Sequence, residues 1–175
     1  MKIYNSCLGD KMIRIQECKG VPIVCLKDEG RLGFVSEPLY DEQNTVKGFL
    51  VESENGISGK FRKRYIALND ILKLSDAVCV VYSKDSVKKY NKNKSFKTEC
   101  SLEEYMGREV LSENGENIGV VHDLVFDIET GTPEGFEVSK GFMNDMIEGR
   151  RVIFMRDGVE FGEEYIIARG DSDEQ

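Results

Sequence analysis

The chain has 175 residues, a mass of 19.9 kDa and a formal net charge of −8. Hydrophobic residues make up 40% and charged residues 32%, which is typical of a folded globular protein and excludes a disordered chain. No apolar run reaches the ~20 residues that a membrane-spanning helix needs, and the first residues lack the apolar core of a signal peptide. We therefore expect a cytoplasmic protein, and the acidic balance argues against a general nucleic-acid-binding protein.

Turn-forming residues separate the apolar segments of the first half, which predicts short β-strands. Seventeen Gly, three Pro and no Trp favour a turn-rich β protein. The pattern predicts a strand over 21–26, an alternating strand from Gly33 and a third strand around Phe49. Two further strands are expected over 64–67 and 77–82. Pro38 has no amide hydrogen, so its position should be an edge or a bulge.

The second half repeats this order of elements. A short helical turn is expected at 101–104, followed by strands at 108–111, from Gly119 and around Phe136. The last two strands are expected over 151–155 and 164–169. The two halves differ after the third strand. The first half has an insertion there, Ser53–Lys60. The second half has Phe142–Glu148 instead, and this segment is expected to form a short helical lid or loop.

Charge divides the chain into three parts. Residues 1–83 have a net charge of +1, residues 84–97 contain six Lys and one Asp, and residues 99–175 have a net charge of −14. The basic middle part is rich in Lys and Asn and poor in apolar residues, which predicts a linker. The expected organisation is a first domain over 1–83, a basic linker over 84–100, a second domain over 101–169 and an acidic tail over 170–175.

The two halves also match residue by residue. Both contain the order Gly, apolar, Val, polar, acidic, any, aliphatic, aromatic, Asp, at residues 33–41 and again 86 positions later at 119–127. A later Gly-Phe-x-Val recurs at an offset of 87. A constant offset indicates two duplicated small domains, and two copies are too few for a solenoid. The residues that carry the motif are Gly33, Val35, Asp41 and Gly48 in the first half and Gly119, Val121, Asp127 and Gly135 in the second.

This repeated motif resembles that of the PRC-barrel family, over about residues 14–83 and 101–169. The resemblance implies an all-β fold with two tandem small six-stranded barrels carrying short helical turns. The family shares its barrel with the photosynthetic reaction-centre H subunit and with a domain of a ribosome maturation factor. It has no common catalytic residues, so the resemblance implies a protein-interaction or adaptor role similar to that of stand-alone bacterial members.

The residue types usual in metal, redox or nucleotide sites do not form such a site here. The five cysteines are odd in number and none has C-x-x-C spacing, so we expect five free thiols and no bound metal.

The only histidine, His122, corresponds to Ser36 in the first half, and alternation places it at the surface, away from any nucleophile. The glycines form neither a G-x-G-x-x-G motif nor a P-loop, so no cofactor is predicted.

Acidic residues recur in the repeated motif, at Glu37, Asp41, Asp123 and Asp127. Paired carboxylates are able to act as acid and base or to bind a cation. Asp41 and Asp127, however, precede turns, where an Asp side chain accepts hydrogen bonds from nearby amides. We therefore predict a structural role.

One basic segment is a candidate binding site for RNA or an acidic partner. Lys60, Arg62, Lys63 and Arg64 surround Phe61, and such a patch is able to contact phosphates. The alternative is that these charges protect an edge strand against aggregation.

Together these patterns predict a non-enzymatic adaptor that binds another protein. The alternative is an RNA- or ribosome-associated factor. The sequence is also compatible with a homodimer. No coherent set of residues predicts an enzyme.

Overall fold

A computed structural model describes residues 11–53, 63–91 and 96–169. In the first half these residues form eight strands: β1 Met12–Arg14, β2 Pro22–Cys25, β3 Gly30–Tyr40, β4 Val46–Glu52, β5 Arg64–Ala67, β6 Ile71–Leu74, β7 Cys79–Val81 and β8 Val87–Lys89. Helix α1 spans Ile15–Cys18, and 3-10 turns occupy Leu68–Asp70 and Lys84–Ser86.

The second half has six strands: β9 Glu109–Ser112, β10 Asn117–Asp127, β11 Pro133–Ser139, β12 Arg151–Phe154, β13 Val159–Phe161 and β14 Tyr165–Ala168. Helix α2 spans Phe142–Glu148, and 3-10 turns occupy Ser101–Tyr105 and Met155–Asp157. The fold is all-β and barrel-like, as predicted. The short strands follow from the frequent Gly turns, which limit each run of alternating apolar residues.

The chain divides into two compact units. Of the described residues, the N-terminal unit contains those within Ile13–Ser101 and Phe126–Pro133, and the C-terminal unit contains 11–12, Leu102–Val125 and 134–169. Two contacts explain why 126–133 lie in the N-terminal unit. The amide of Val46 donates a hydrogen bond to the carbonyl of Gly131 (2.8 Å), and the rings of Phe49 and Phe126 lie 6.2 Å apart. The sequence had assigned 126–133 to the second domain.

The same strand order occurs in both sheets. In the C-terminal unit it is β12-β11-β10-β9-β14-β13, and in the N-terminal unit β5-β4-β3-β2-β7-β6, with β8 added beside β5. One neighbouring pair is parallel in each sheet, β9 with β14 and β2 with β7. Antiparallel pairs are β9–β10, β11–β12 and β13–β14 in one sheet and β2–β3, β3–β4, β4–β5 and β6–β7 in the other. Six strands of each sheet thus have counterparts at the same place in the other sheet.

Glycine occupies equivalent positions in the two sheets because backbones approach closely there. Gly33 in β3 lies opposite Ile23, and Gly119 in β10 lies opposite Val110. Their φ angles are +139° and +145°, which side chains rarely allow. A Cβ atom added to Gly33 would overlap the carbonyl oxygen of Glu52, and one added to Gly119 would overlap the carbonyl oxygen of Ser139. These positions therefore require glycine.

The segment predicted to be a linker forms part of the N-terminal sheet. Strand β8 pairs with β5, and the amide of Tyr90 donates to the carbonyl of Lys63 (2.8 Å). The Tyr90 ring packs edge-on against buried Tyr65, with their centroids 6.1 Å apart. A linker interpretation based on the lysines overlooks Tyr90, whose ring packs in the sheet while the neighbouring Lys88 and Lys89 are exposed.

Apolar side chains that alternate along the strands form each core. In the C-terminal unit, buried Phe136 packs against Tyr105 and Phe161, whose own rings lie 4.6 Å apart. In the N-terminal unit the core includes Ile23, Val35, Leu39, Phe49 and Ile66.

Pro38 lies at an irregularity in the pairing of β3 with β4, where the register shifts between Val35 and Pro38. This confirms the prediction of an edge or a bulge, because a bulged position does not need the missing amide hydrogen.

The cysteines of the described residues are buried thiols without a disulfide: Cys18, Cys25, Cys79 and Cys100. Burial raises the pKa of Cys79 to about 12, so this thiol remains protonated at neutral pH. Cys7 lies outside the described residues.

Candidate protein-interaction surface

Helix α2 connects β11 to β12 in the C-terminal unit. Its apolar residues follow the pattern i, i+1, i+4, i+5, which places them on one face of a helix. A helix of two turns is not stable alone in water, so contacts with the barrel must hold it. Those contacts determine which face of α2 reaches the solvent.

The polar face of α2 is fastened to the barrel through Asp145. Its carboxylate accepts hydrogen bonds from the Ser139 hydroxyl (2.6 Å), the Lys140 amide (3.0 Å) and Arg150 Nε (3.1 Å). Partial burial acts to raise the pKa of Asp145, but these hydrogen bonds and the charge of Arg150 outweigh it and lower the pKa. Asp145 is therefore ionised at neutral pH and anchors the helix.

Arg150, just beyond the helix, extends this anchor to two strands. Its Nη1 donates a hydrogen bond to Oε2 of Glu137 in β11 (3.1 Å) and lies 3.2 Å from Nδ1 of His122 in β10. The Glu137 side chain is 4% exposed, and a buried carboxylate needs such a partner. Arg150, Asp145, Glu137 and His122, hereafter the arginine clasp, thus tie α2 to β10 and β11.

The opposite face of α2 is apolar and exposed. Phe142, Met143, Met146 and Ile147 are each between 68% and 80% exposed. A helix on a globular protein ordinarily turns its apolar face to the core. Here the arginine clasp holds the polar face against the barrel, so the apolar side chains form an outward patch, hereafter the α2 face.

An open groove of about 560 Å³ lies beside the helix. It is lined by residues of β10, the end of β11, the link to α2 and α2 itself: Asn117, Gly119, Val120, Ser139, Lys140, Gly141 and Asn144. Val120, at 38% exposure, is its apolar side chain. The groove adds polar groups to one border of the α2 face, an arrangement typical of protein contact surfaces.

His122 is exposed, as alternation along β10 predicts. Its Nδ1 lies 3.2 Å from Arg150 and 3.6 Å from the carboxylate of Glu137. His122 is therefore placed to support the arginine clasp.

The acidic residues of the repeated motif make local contacts. One carboxylate oxygen of Asp41 accepts from the amides of Gln43 (3.0 Å) and Thr45 (2.9 Å), and one of Asp127 accepts from Glu129 (2.7 Å) and Thr130 (2.9 Å). Each Asp therefore orders the turn that follows it. Glu37 is exposed, whereas Asp123 is buried and accepts from the next amide, that of Leu124.

The basic segment is only partly described, since Lys60 and Arg62 lie outside the described residues. Lys63 is exposed, and Arg64 begins β5, where it lies opposite Lys89 of β8. The pairing of β5 with β8 thus brings basic residues from two separate segments onto one edge of the sheet.

A metal-ligand cluster and a membrane-spanning helix are both absent from the described ranges 11–53, 63–91 and 96–169. These residues contain no group of three or more His, Cys, Asp or Glu side chains placed to hold a metal ion. None of their helices has both the length and the apolar character that crossing a membrane requires.

A family comparison agrees with the barrel geometry. Residues 97–175 match the model of the PRC-barrel domain family, a match that covers the C-terminal unit's strands β9–β14 and α2. Residues 97–175 are therefore assigned to the PRC-barrel domain family. No curated protein matches the chain significantly.

Sequence reasoning identified 142–148 as a short helix or loop but not as a contact surface. The pattern Phe-Met-x-x-Met-Ile indicates an apolar helix face, although it does not say whether that face is turned to the core. The missing information was the partner of Asp145, because Ser139 and Arg150 decide the orientation of the helix.

Proposed function

We propose that the protein is a non-enzymatic cytoplasmic adaptor that binds another protein molecule through the α2 face. The observation that carries the proposal is the outward orientation of four bulky apolar side chains on a helix fastened by its polar face. Contiguous apolar patches of this kind mark interaction sites, because exposing them to water is unfavourable. The PRC-barrel domain supports the same role.

The side-chain types and the charge favour a protein over a nucleic acid at this surface. Phe and Met are enriched in protein interfaces, and Met adapts its shape to a partner. Residues 99–175 have a net charge of −14, which would repel phosphates. A protein contact satisfies both features.

Site-specific photo-crosslinking in the native cell tests this function. A photoreactive amino acid in place of Met146 should give a protein adduct of defined mass. The matched control is the same amino acid in place of Leu72, which is 59% exposed in the N-terminal unit. No protein adduct at position 146, or equal adducts at both positions, would contradict the proposal.

An RNA- or ribosome-associated role is a second candidate, favoured by the pairing of Arg64 with Lys89 across β5 and β8. Phosphate contacts by these residues would give binding that weakens steeply with salt and does not depend on sequence. Neutralising Lys63, Arg64 and Lys89 together should then weaken RNA binding and flatten its salt dependence. If the full-length protein binds no RNA at low salt, this candidate is excluded.

A further inference from the structure

We infer that the partner at the α2 face is a second copy of this chain, paired through antiparallel α2 helices. This inference rests on the proposed function and names the molecule that covers the surface. Its basis is the arrangement of the residues along α2.

The α2 face is self-complementary about its own midpoint. The order Phe142, Met143, Asn144, Asp145, Met146, Ile147 reads apolar, apolar, polar, polar, apolar, apolar in either direction. A two-fold axis at the midpoint therefore brings Phe142 opposite Ile147 of the second copy and Met143 opposite Met146 of the second copy. An isologous dimer requires this kind of pattern, in which one patch contacts itself.

The charges next to α2 do not oppose the contact of two copies. Lys140 precedes the helix and Glu148 ends it, and within one chain their charged groups lie 3.8 Å apart with both side chains exposed. The two charges therefore neutralise each other within each copy and bring no net charge to the apolar contact.

The overall acidity of the protein does not oppose this contact. Residues 140–151 contain Lys140, Arg150 and Arg151 against Asp145 and Glu148, a net charge of +1. The strong negative charge of residues 99–175 thus lies outside this stretch. Two copies would therefore meet at a stretch without net negative charge, and salt screens the repulsion between the remaining acidic residues.

The size of the patch fits a reversible dimer. Four bulky side chains exposed to this degree present roughly 500 Å² on each copy. Pairing therefore buries about 1,000 Å² in total, close to the lower limit for a specific interface. We expect a dimer that dissociates on dilution.

Sedimentation velocity over a range of concentrations tests the inference. The wild-type protein should approach twice the 19.9 kDa chain mass at high concentration. Met146→Asp should weaken the dimer at least tenfold, whereas the matched control Leu72→Asp in the N-terminal unit should not. The circular dichroism of both variants should match the wild type, which shows that they fold. A wild-type protein that stays monomeric at every concentration would overturn the inference.

Cysteine pairing tests the antiparallel geometry. In a Cys7→Ser background with a mild added oxidant, a mixture of Met143→Cys and Met146→Cys chains should form a disulfide-linked dimer faster than either chain alone. No preference for the mixture would exclude the antiparallel pairing.

The photo-crosslinking experiment separates failure of this inference from failure of the proposed function. An adduct at position 146 with twice the chain mass supports both. An adduct of any other mass overturns the second copy as partner and leaves the protein-binding function in place. A monomeric protein that binds lipid vesicles through the α2 face and gives no protein adduct would overturn both.

Discussion

The N-terminal and C-terminal units share one order of six strands but differ in one connection. It joins β4, which includes Gly48, to β5 in the N-terminal unit, and β11, which includes Gly135, to β12 in the C-terminal unit. In the C-terminal unit that connection contains α2, with four apolar side chains on one exposed face. In the N-terminal unit residues 54–62 of the connection lie outside the described residues, and the exposed large apolar residues Leu26, Leu72 and Tyr82 belong to strands and strand ends. The barrel frame therefore follows from backbone geometry, whereas the exposed apolar face depends on the helix in one connection.

The largest effects should come from the glycines that the two frames share. Gly33→Ala and Gly119→Ala should each lower the free energy of unfolding by about 3 kcal/mol or more, because the new Cβ overlaps a carbonyl of the neighbouring strand. Gly30→Ala is the matched control, since its Cβ would meet only Asp28 at 3.8 Å. Denaturant unfolding measures all three variants. A large loss for one of the first two and not the other would break the equivalence of the two sheets.

The arginine clasp should have the next largest effect. Arg150→Ala leaves the buried Glu137 carboxylate without its cation and should cost about 2 kcal/mol. As a comparison, Lys88→Ala removes an exposed ion pair with Asp70 in the N-terminal unit and should cause no resolvable loss. If the two variants lose equal stability in denaturant unfolding, Arg150 does not anchor α2 as described.

Acid should release the helix anchor. The pKa of Asp145 is lowered in the folded protein, so its ionised form stabilises the fold above the ordinary Asp pKa of about 3.9. This contribution is lost as the pH falls below that value towards the folded pKa. Stability measured against pH should therefore fall less steeply in this acidic range for Asp145→Asn than for the wild type. Identical slopes would show that Asp145 is not preferentially ionised in the fold.

The smallest effect on stability should come from the α2 face itself. Met143→Ser and Met146→Ser should change the unfolding free energy of the dilute protein by about 0.5 kcal/mol or less, because both side chains are already exposed. The contrast is Phe49→Ala in the N-terminal core, which should cost about 3 to 5 kcal/mol. A large loss for either Met variant would mean that the side chain packs against the barrel.

The sequence predicted most of the frame because its signals are local. Alternation identified β3 and β10, and the irregularity at Pro38 followed from the missing amide hydrogen. Strands β6 and β13 were not predicted, since each is only three or four residues long and follows a 3-10 turn closely. Such short segments contain too few residues to establish a period.

The candidate site was harder to predict because it depends on contacts distant in sequence. Arg150 joins His122, Glu137 and Asp145, which lie up to 28 positions before it, and no spacing rule reveals that group. The lysine-rich segment was misleading for the same reason: Tyr65, 25 positions before Tyr90, provides the surface on which its ring packs.

Peroxide oxidation of the methionines in dilute protein tests most directly whether the α2 face points to solvent. Met143 and Met146 are 71% and 68% exposed, and the half-buried Met106 and Met155 are internal references. Mass spectrometry of the peptides should show Met143 and Met146 oxidised first, at rates close to that of free methionine. If they are oxidised no faster than Met106 and Met155, the apolar face of α2 is turned to the barrel and the account is contradicted.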